Sequence, residues 1–251
     1  MTNPFDFTHK KIVITGATSG IGLTTAIMLA KQGAIIHAVG RREEALIDVM
    51  NRLDGDCHRY HIEDLCGDVN YRKLFDEIVS DGKKIDGMVY CAGIAKVLPV
   101  NIVNYKNMDE TMRVNFYSFI EMVSALSKKR YHENTSIVAV SSIAAEYPGK
   151  CQGIYAASKA AMNTMVQSLA LELTEKDIRI NTVMPASTNT RMLNEANENR
   201  GQKEVEREIH KQLLGLEEPE DISNVIMFLL SDASRVITGR AIYADAGYID
   251  F

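Results

Sequence analysis

No apolar run in this 251-residue chain approaches the ~18 residues that a membrane helix requires. The first eleven residues hold no hydrophobic core of the kind a secretory signal carries. Positive charge is not in excess. Lys and Arg total 28 against 33 Asp and Glu, a formal net charge of -5. Neither a nucleic acid nor an anionic membrane is therefore expected as the main partner. Cysteine is scarce, and Cys57, Cys66, Cys91 and Cys151 show no CxxC spacing. That excludes the usual zinc and disulfide frameworks, and no metal is expected. Reduced thiols in a cytoplasmic protein fit the pattern, each read as a small buried apolar residue. No internal repeat, low-complexity tract or linker divides the chain. The expectation is one large domain around a core of ordinary apolar content, 46% of residues.

What is present is a regular alternation. Residues 11–15 read as a short buried strand, and Gly16, Ala17, Thr18, Ser19, Gly20, Ile21 and Gly22 follow at once. A helix is predicted over 21–32, stopped by Gly33. Strand, glycine turn and helix in that order suit a pyrophosphate, because glycines admit close backbone approach and a helix N-terminus favours negative charge. Further strands are predicted at 34–39, 58–62, 85–90, 136–142, 178–184 and 241–244. Helices are predicted at 42–53, 71–80, 108–129, 152–174 and 219–230. This pattern implies an α/β fold: a doubly wound, Rossmann-like parallel sheet of about seven strands with helices on both faces. Ligands in such sheets lie at the C-terminal strand ends. Gly16, Arg41, Ala92, Ser142 and Pro185 all fall there.

The second strand ends in Gly40, Arg41 and Arg42. Nineteen positions separate Gly22 from Arg41, close to the ~20 at which a ribose is read. A carboxylate there would repel a 2′-phosphate, whereas a guanidinium pairs with it. NADP(H) is thus the expected cofactor, with Arg41 the main contact and Arg42 a second. The alternative is two solvated cations at a helix start. Asp68, beside Val69, reads equally as an N-cap or a ligand. Asn115 lies among apolar neighbours and must find hydrogen bonds. It bridges backbone or water near Tyr155, or it satisfies a helix bend.

Tyr155 and Lys159 are four apart in a run of helix formers and so share a helix face. A fixed cation beside a phenol favours the phenolate and lowers its pKa from about 10. Such a Tyr can exchange a proton with an alcohol oxygen. Ser142, at the end of the predicted strand, is placed to aim its hydroxyl at the same oxygen. Residues 188–216 are highly charged, with Val205, Ile209 and Leu213 at helical spacing. They read as one or two mobile helices forming a substrate lid, or as an ordinary surface helix. The basic run Lys128, Lys129 and Arg130 is a solvated helix end or a dock for an acidic carrier.

These motifs together resemble the compact single-domain branch of the short-chain dehydrogenase/reductase family, including its 3-oxoacyl-carrier-protein reductases. The resemblance spans nearly the whole chain. It rests on Thr15 to Gly22, Asp68 and Val69, Cys91 to Gly93, Asn115, Ser142, Tyr155 to Lys159, Asn181 and Pro185. It implies Tyr155 as general acid/base and Lys159 as the group that lowers its pKa and holds the nicotinamide ribose. It implies that Ser142 orients the substrate carbonyl and that Asn115 holds a relay water. Asp68 and Val69 would sit by the adenine, and Thr190, with Pro185 and Thr188 nearby, by the carboxamide. The reaction implied is interconversion of a ketone or 3-oxoacyl group and a secondary alcohol, in a homotetramer or dimer. A non-catalytic NADP(H) sensor is the alternative, and a sugar epimerase a third. Three departures stand out. Tyr90 and Cys91 replace the family's usual pair of asparagines, Ala186 replaces a glycine after Pro185, and Ser19 replaces a basic residue found in some NADP(H)-preferring members.

Overall fold

A computed structural model describes residues 3–197 and 202–249. Strand β1 (Lys11–Thr15) is buried along its whole length, as a strand covered on both faces must be. It pairs in parallel with β2 (Ile35–Gly40) on one side and β4 (Ile85–Tyr90) on the other. The sheet is completed by β3 (Arg59–Ile62), β5 (His132–Val140), β6 (Ile178–Pro185) and β7 (Ala241–Ala244). The order is β3-β2-β1-β4-β5-β6-β7, with every pair parallel. The expected doubly wound sheet is therefore the observed one. Strand order reverses between β1 and β4, which opens a crevice at the strands' C-terminal ends.

Alternate β1 residues serve opposite cores. Ile12 and Ile14 pack with α1 (Gly20–Lys31), α2 (Glu43–Met50) and α9 (Pro219–Leu230), through Leu29, Leu46 and Ile226. Val13 joins the other layer. There α3 (Tyr71–Ile78), α5 (Ser118–Leu126) and α6 (Gly153–Leu173) contribute Phe75, Phe119 and Met162.

The helix expected over 108–129 is not one helix. It comprises α4 (Tyr105–Met112), a π-helical turn at Arg113–Tyr117, and α5. The Ser118 amide donates to the Arg113 carbonyl, five residues back, so one residue too many is packed into the turn. The N-cap of α3 is Asn70, which accepts from the Lys73 amide at 3.1 Å, so the N-cap reading of Asp68 is corrected. Asp68 is fully solvated and stands 3.8 Å from Arg113. Of the cysteines expected to be buried, Cys57 is exposed and Cys66 and Cys151 are part-buried, whereas Cys91, part-buried as a residue, packs against the core. The charged segment contains α7 (Arg191–Asn197) and α8 (Gln202–Ile209), and residues 198–201 of the expected lid lie outside the described residues. Leu213 lies beyond α8 and is exposed, contrary to the helical stripe expected of it. Among the described residues, no helix is long and apolar enough to cross a membrane.

Candidate active site

The glycine turn has the geometry its sequence implies. Gly16 and Gly20 take φ of +66° and +51°, in the left-handed region that glycine enters freely. A Cβ on Gly16 would come 2.8 Å from the Ala92 amide nitrogen, so the turn lies directly against the end of β4. A Cβ on Gly22 would sit 2.4 Å from the Gly16 carbonyl. Helix α1 begins with Ser19 as N-cap, with no side-chain cap bond and no acidic residue in its first turn. Its leading N–H groups and partial positive charge thus face the crevice without a competing carboxylate. Arg41 is exposed at the end of β2, and Arg42, the N-cap of α2, lines a cavity of about 310 Å³ with Thr18 and Arg52. Open amide donors at a helix N-terminus fit the pyrophosphate of a dinucleotide. Asp68 and Val69 precede α3, and Val69 packs against the layer of α3, α5 and α6.

The second half of the site hangs on α6. Ser142 lies two residues past the end of β5 rather than on the strand, and caps a 3-10 turn at Ile143–Ala145. Its Oγ accepts from the Ala144 amide at 3.1 Å. It also approaches Tyr155 closely enough to pull that phenol's pKa down, yet burial pushes the pKa up by more. The net shift is upward, opposite to the lowering expected from Lys159. The reason is where the ammonium points. Lys159 Nζ donates to the Val140 carbonyl at 2.7 Å and stands 5.8 Å from the centre of the Tyr155 ring. Lys159 is itself 4% exposed, and burial brings its pKa down to about 8. Across the crevice, burial pushes the Cys91 thiol up to about 12, against a smaller pull from Lys159.

Asn115 sits inside the π turn and is fully buried. Its Oδ1 accepts from the Ile94 amide at 2.9 Å, and its Nδ2 donates to the Ile94 carbonyl at 3.0 Å and to Ser158 Oγ at 2.9 Å. Both readings from sequence meet here: the side chain occupies a helix irregularity and also bridges backbone. With both Nδ2 hydrogens committed, it clamps the loop after β4 onto α6. Gly93 lies between the two groups. A Cβ there would come 3.5 Å from Asn115 Oδ1 and 3.6 Å from Lys159 Nζ.

Tyr90 and Glu217 were not singled out from sequence as site residues. Tyr90 is fully buried, and its hydroxyl donates to the Val114 carbonyl of the π turn at 2.6 Å. Glu217 lies in a charged stretch that reads as solvated, but it is 4% exposed and bonded to Thr188 Oγ1 at 2.9 Å and the Ala186 amide at 3.2 Å. The loop from Pro185 through Thr190 passes over the glycine turn, since a Cβ on Gly20 would meet Thr190 Cγ2 at 3.1 Å. Contacts thus link Gly16 with Ala92, Gly93 with Asn115 and Lys159, Ser142 with Tyr155, and Gly20 with Thr190, near the C-terminal ends of the strands, with Pro185 and Thr188 on the loop that carries Thr190. The run Lys128 to Arg130 lies just before β5, at the opposite end of the sheet, and Arg130 pairs with Asp76 at 3.1 Å. Among the described residues, no group of three or more His, Cys, Asp or Glu is arranged to hold a metal ion.

Comparison with known proteins supplies independent findings. A family model described as enoyl-(acyl carrier protein) reductase matches residues 16–249. The chain is 34% identical to an L-xylulose reductase of Caenorhabditis elegans, covering 97% of both chains. It is 31% identical to a 3-oxoacyl-[acyl-carrier-protein] reductase of Thermotoga maritima, covering 96% of this chain and 98% of that one. A solved short-chain type dehydrogenase/reductase from Mycobacterium ulcerans superposes with a TM-score of 0.88 at 27% identity, over 96% of this chain and 90% of the other.

Proposed function

Because the chain belongs to the short-chain dehydrogenase/reductase family, an oxidoreductase family that uses nicotinamide cofactors, we propose that it is an NADP(H)-dependent carbonyl reductase. Its substrate class is a small ketone or 3-oxoacyl group, interconverted with a secondary alcohol. The observation that carries this reading is the meeting of Ser142, Tyr155 and Lys159 at the end of β5, beside the glycine turn. Two relatives named for reduction, one of L-xylulose and one of a 3-oxoacyl group, support the carbonyl class.

When bound, the nicotinamide gives or takes the hydride, so the protein supplies position and a proton. Tyr155 is the proton donor. Burial raises its pKa against the pull of Ser142, so efficient proton transfer calls for Lys159 to turn back toward the phenol. Ser142, already within reach of the phenol, orients the carbonyl oxygen between the two hydroxyls. Lys159 is held by Val140 at the edge of Gly93, where it can turn to a ribose hydroxyl. Residues Gly16, Thr18, Ser19, Gly20, Ile21 and Gly22 would cradle the pyrophosphate, and Arg41 and Arg42 the 2′-phosphate. Asp68 and Val69 would lie by the adenine, Ala92 and Gly93 along the cofactor, and Pro185, Thr188 and Thr190 by the carboxamide. Residues 188–216 would form the substrate lid, and the working particle would be a tetramer or dimer.

The test is NADPH oxidation with a panel of ketones, wild type against Tyr155→Phe. Loss of the proton donor should cut kcat/KM by about 10²–10⁴-fold while NADPH binding persists. A Phe variant with full activity refutes the assigned chemistry. Tight NADPH binding with no carbonyl ever reduced by the wild type would favour the sensor instead.

A further inference from the structure

Glu217 is a buried carboxylate that the proposed chemistry does not use. Among the described residues, every side-chain partner it has is a donor. Oε1 accepts from the Ala186 amide at 3.2 Å and from Gln212 Nε2 at 3.4 Å, and Oε2 accepts from Thr188 Oγ1 at 2.9 Å. Its backbone is also stitched to the same loop. The Glu217 amide donates to the Ser187 carbonyl at 3.2 Å, and the Asn189 amide donates to the Glu217 carbonyl at 2.7 Å. Gln212, 3% exposed, doubles the connection by pairing both ways with the Ser187 backbone, at 3.2 and 3.1 Å. The loop so gripped is the one whose Thr190 presses on the glycine turn beside Gly20.

The backbone bonds alone would form with any residue at 217. A charged side chain there bears a desolvation cost that an apolar one would not, so its three donors are the feature to explain. Two of them, the Ala186 amide and the Thr188 hydroxyl, belong to the loop facing the crevice. Thr188 spends its hydroxyl proton on Glu217 and is left with acceptor capacity only. We propose that Glu217 is a positioning residue, holding the Ala186–Thr188 loop in the arrangement that receives the nicotinamide end of the cofactor. This rests on the function proposed above.

The electrostatic setting supports the idea. Burial pushes the Glu217 carboxyl up to about 7, with Asp245 after β7 and Asp221 on α9 adding to the rise, while the bonds from Thr188 and Ala186 oppose it. A carboxyl whose folded pKa is raised stabilises its surroundings below the unfolded value of 4.5 and loses that contribution as pH rises through about 7. Ionisation across neutrality thus costs the enclosed carboxyl stability while the Thr188 and Ala186 bonds favour the charged form, so the hold on the loop depends on pH there.

The experiment is NADPH titration of the full-length protein between about pH 6 and pH 8, with amide hydrogen exchange over 186–190 in the free protein. Wild type, Glu217→Ala and Glu217→Gln are compared. The Ala variant should bind NADPH about tenfold more weakly, the worth of one buried hydrogen bond, and exchange faster at 186–190. The Gln variant should keep near wild-type affinity at pH 6 but lose the neutral-range pH dependence. Should the Ala variant not fold, the Gln pH profile decides alone. Wild-type affinity, pH profile and exchange in both variants would overturn this proposal and leave the function standing. A wild-type protein that binds neither NADPH nor NADH would bring both down together.

Discussion

The Tyr90→Phe variant isolates a single oxygen atom. The Tyr90 hydroxyl donates to the Val114 carbonyl at 2.6 Å in wholly buried surroundings, and the ring packs 5.2 Å from Phe119. Phenylalanine keeps the ring and its packing but leaves the carbonyl unpaired in the core. An orphaned buried acceptor costs about 1–3 kcal/mol. In a domain of this size that is a Tm drop of about 2–12 °C, with a lower urea midpoint and an unchanged m value. The functional effect follows from position. Val114 and Asn115 are neighbours in the π turn, and the extra residue of that turn is what brings Asn115 to Ile94 and Ser158. Reversion to α-helical spacing would rotate the residues after the slip by ~100°, carrying Asn115 off its partners. We therefore expect kcat to fall along with stability, while NADPH affinity, set at the glycine turn, holds. Unfolding by urea and a kcat-against-Kd comparison read these separately. A Phe variant within about 0.5 kcal/mol of wild type, with full turnover, would show that the hydroxyl supports neither the fold nor the turn.

Three other expectations are open to direct measurement. Arg41→Ala should weaken NADPH binding by about 10–100-fold, the worth of a charge-assisted pair, and leave NADH binding unchanged; equal losses for both would remove Arg41 from the 2′-phosphate. Burial, then His61 at 3.0 Å and Lys11, hold His37 down at about 3, so the folded protein keeps it neutral. That stability is present above the unfolded pKa of 6.5 and drains as pH falls toward 3, at up to about 1.4 kcal/mol per pH unit; urea midpoints from pH 7 to about pH 4.5 should therefore fall less steeply for His37→Asn, and parallel slopes would exclude this role. Tyr105 and Leu171 are 77% and 80% exposed on α4 and α6, so light scattering should report a dimer or tetramer that Tyr105→Glu with Leu171→Glu splits; a wild-type monomer ends that proposal.

The features legible in the sequence are those dictated by backbone and period. Gly16 and Gly20 need positive φ, Gly22 needs the space of a missing Cβ, and an uninterrupted apolar strand needs cover on both faces. Each leaves a mark that few other residues satisfy. The four-residue step from Tyr155 to Lys159 is likewise a helical fact, and α6 preserves it. The π turn leaves no such mark. Its apolar pattern is shared with a plain α-helix, so 108–129 reads as continuous, and the one hint was an asparagine among apolar neighbours. Asp68 and Asn70 both cap helices well, and two positions of slip decide which one does.

The harder failures concern surroundings rather than shape. Spacing brought Lys159 beside Tyr155, but spacing carries no dielectric and no hydrogen-bond direction. Once Val140 takes the ammonium, burial outweighs the pull of Ser142 on the part-buried Tyr155. Glu217 fails the same way in reverse. Flanked by Leu216, Glu218 and Glu220 it looks solvated, yet it is drawn inside because three donors of the adjoining loop and helix end converge on it. A charge in a charged stretch gives no sequence sign that its partners lie thirty residues back. In this chain, the residues that tune the proposed site are those whose partners are distant, Tyr90 with Val114, Asn115 with Ile94 and Ser158, and Glu217 with Ala186 and Thr188. Local periodicity builds the strand ends; contacts between distant segments fix how Tyr90, Asn115 and Glu217 are held.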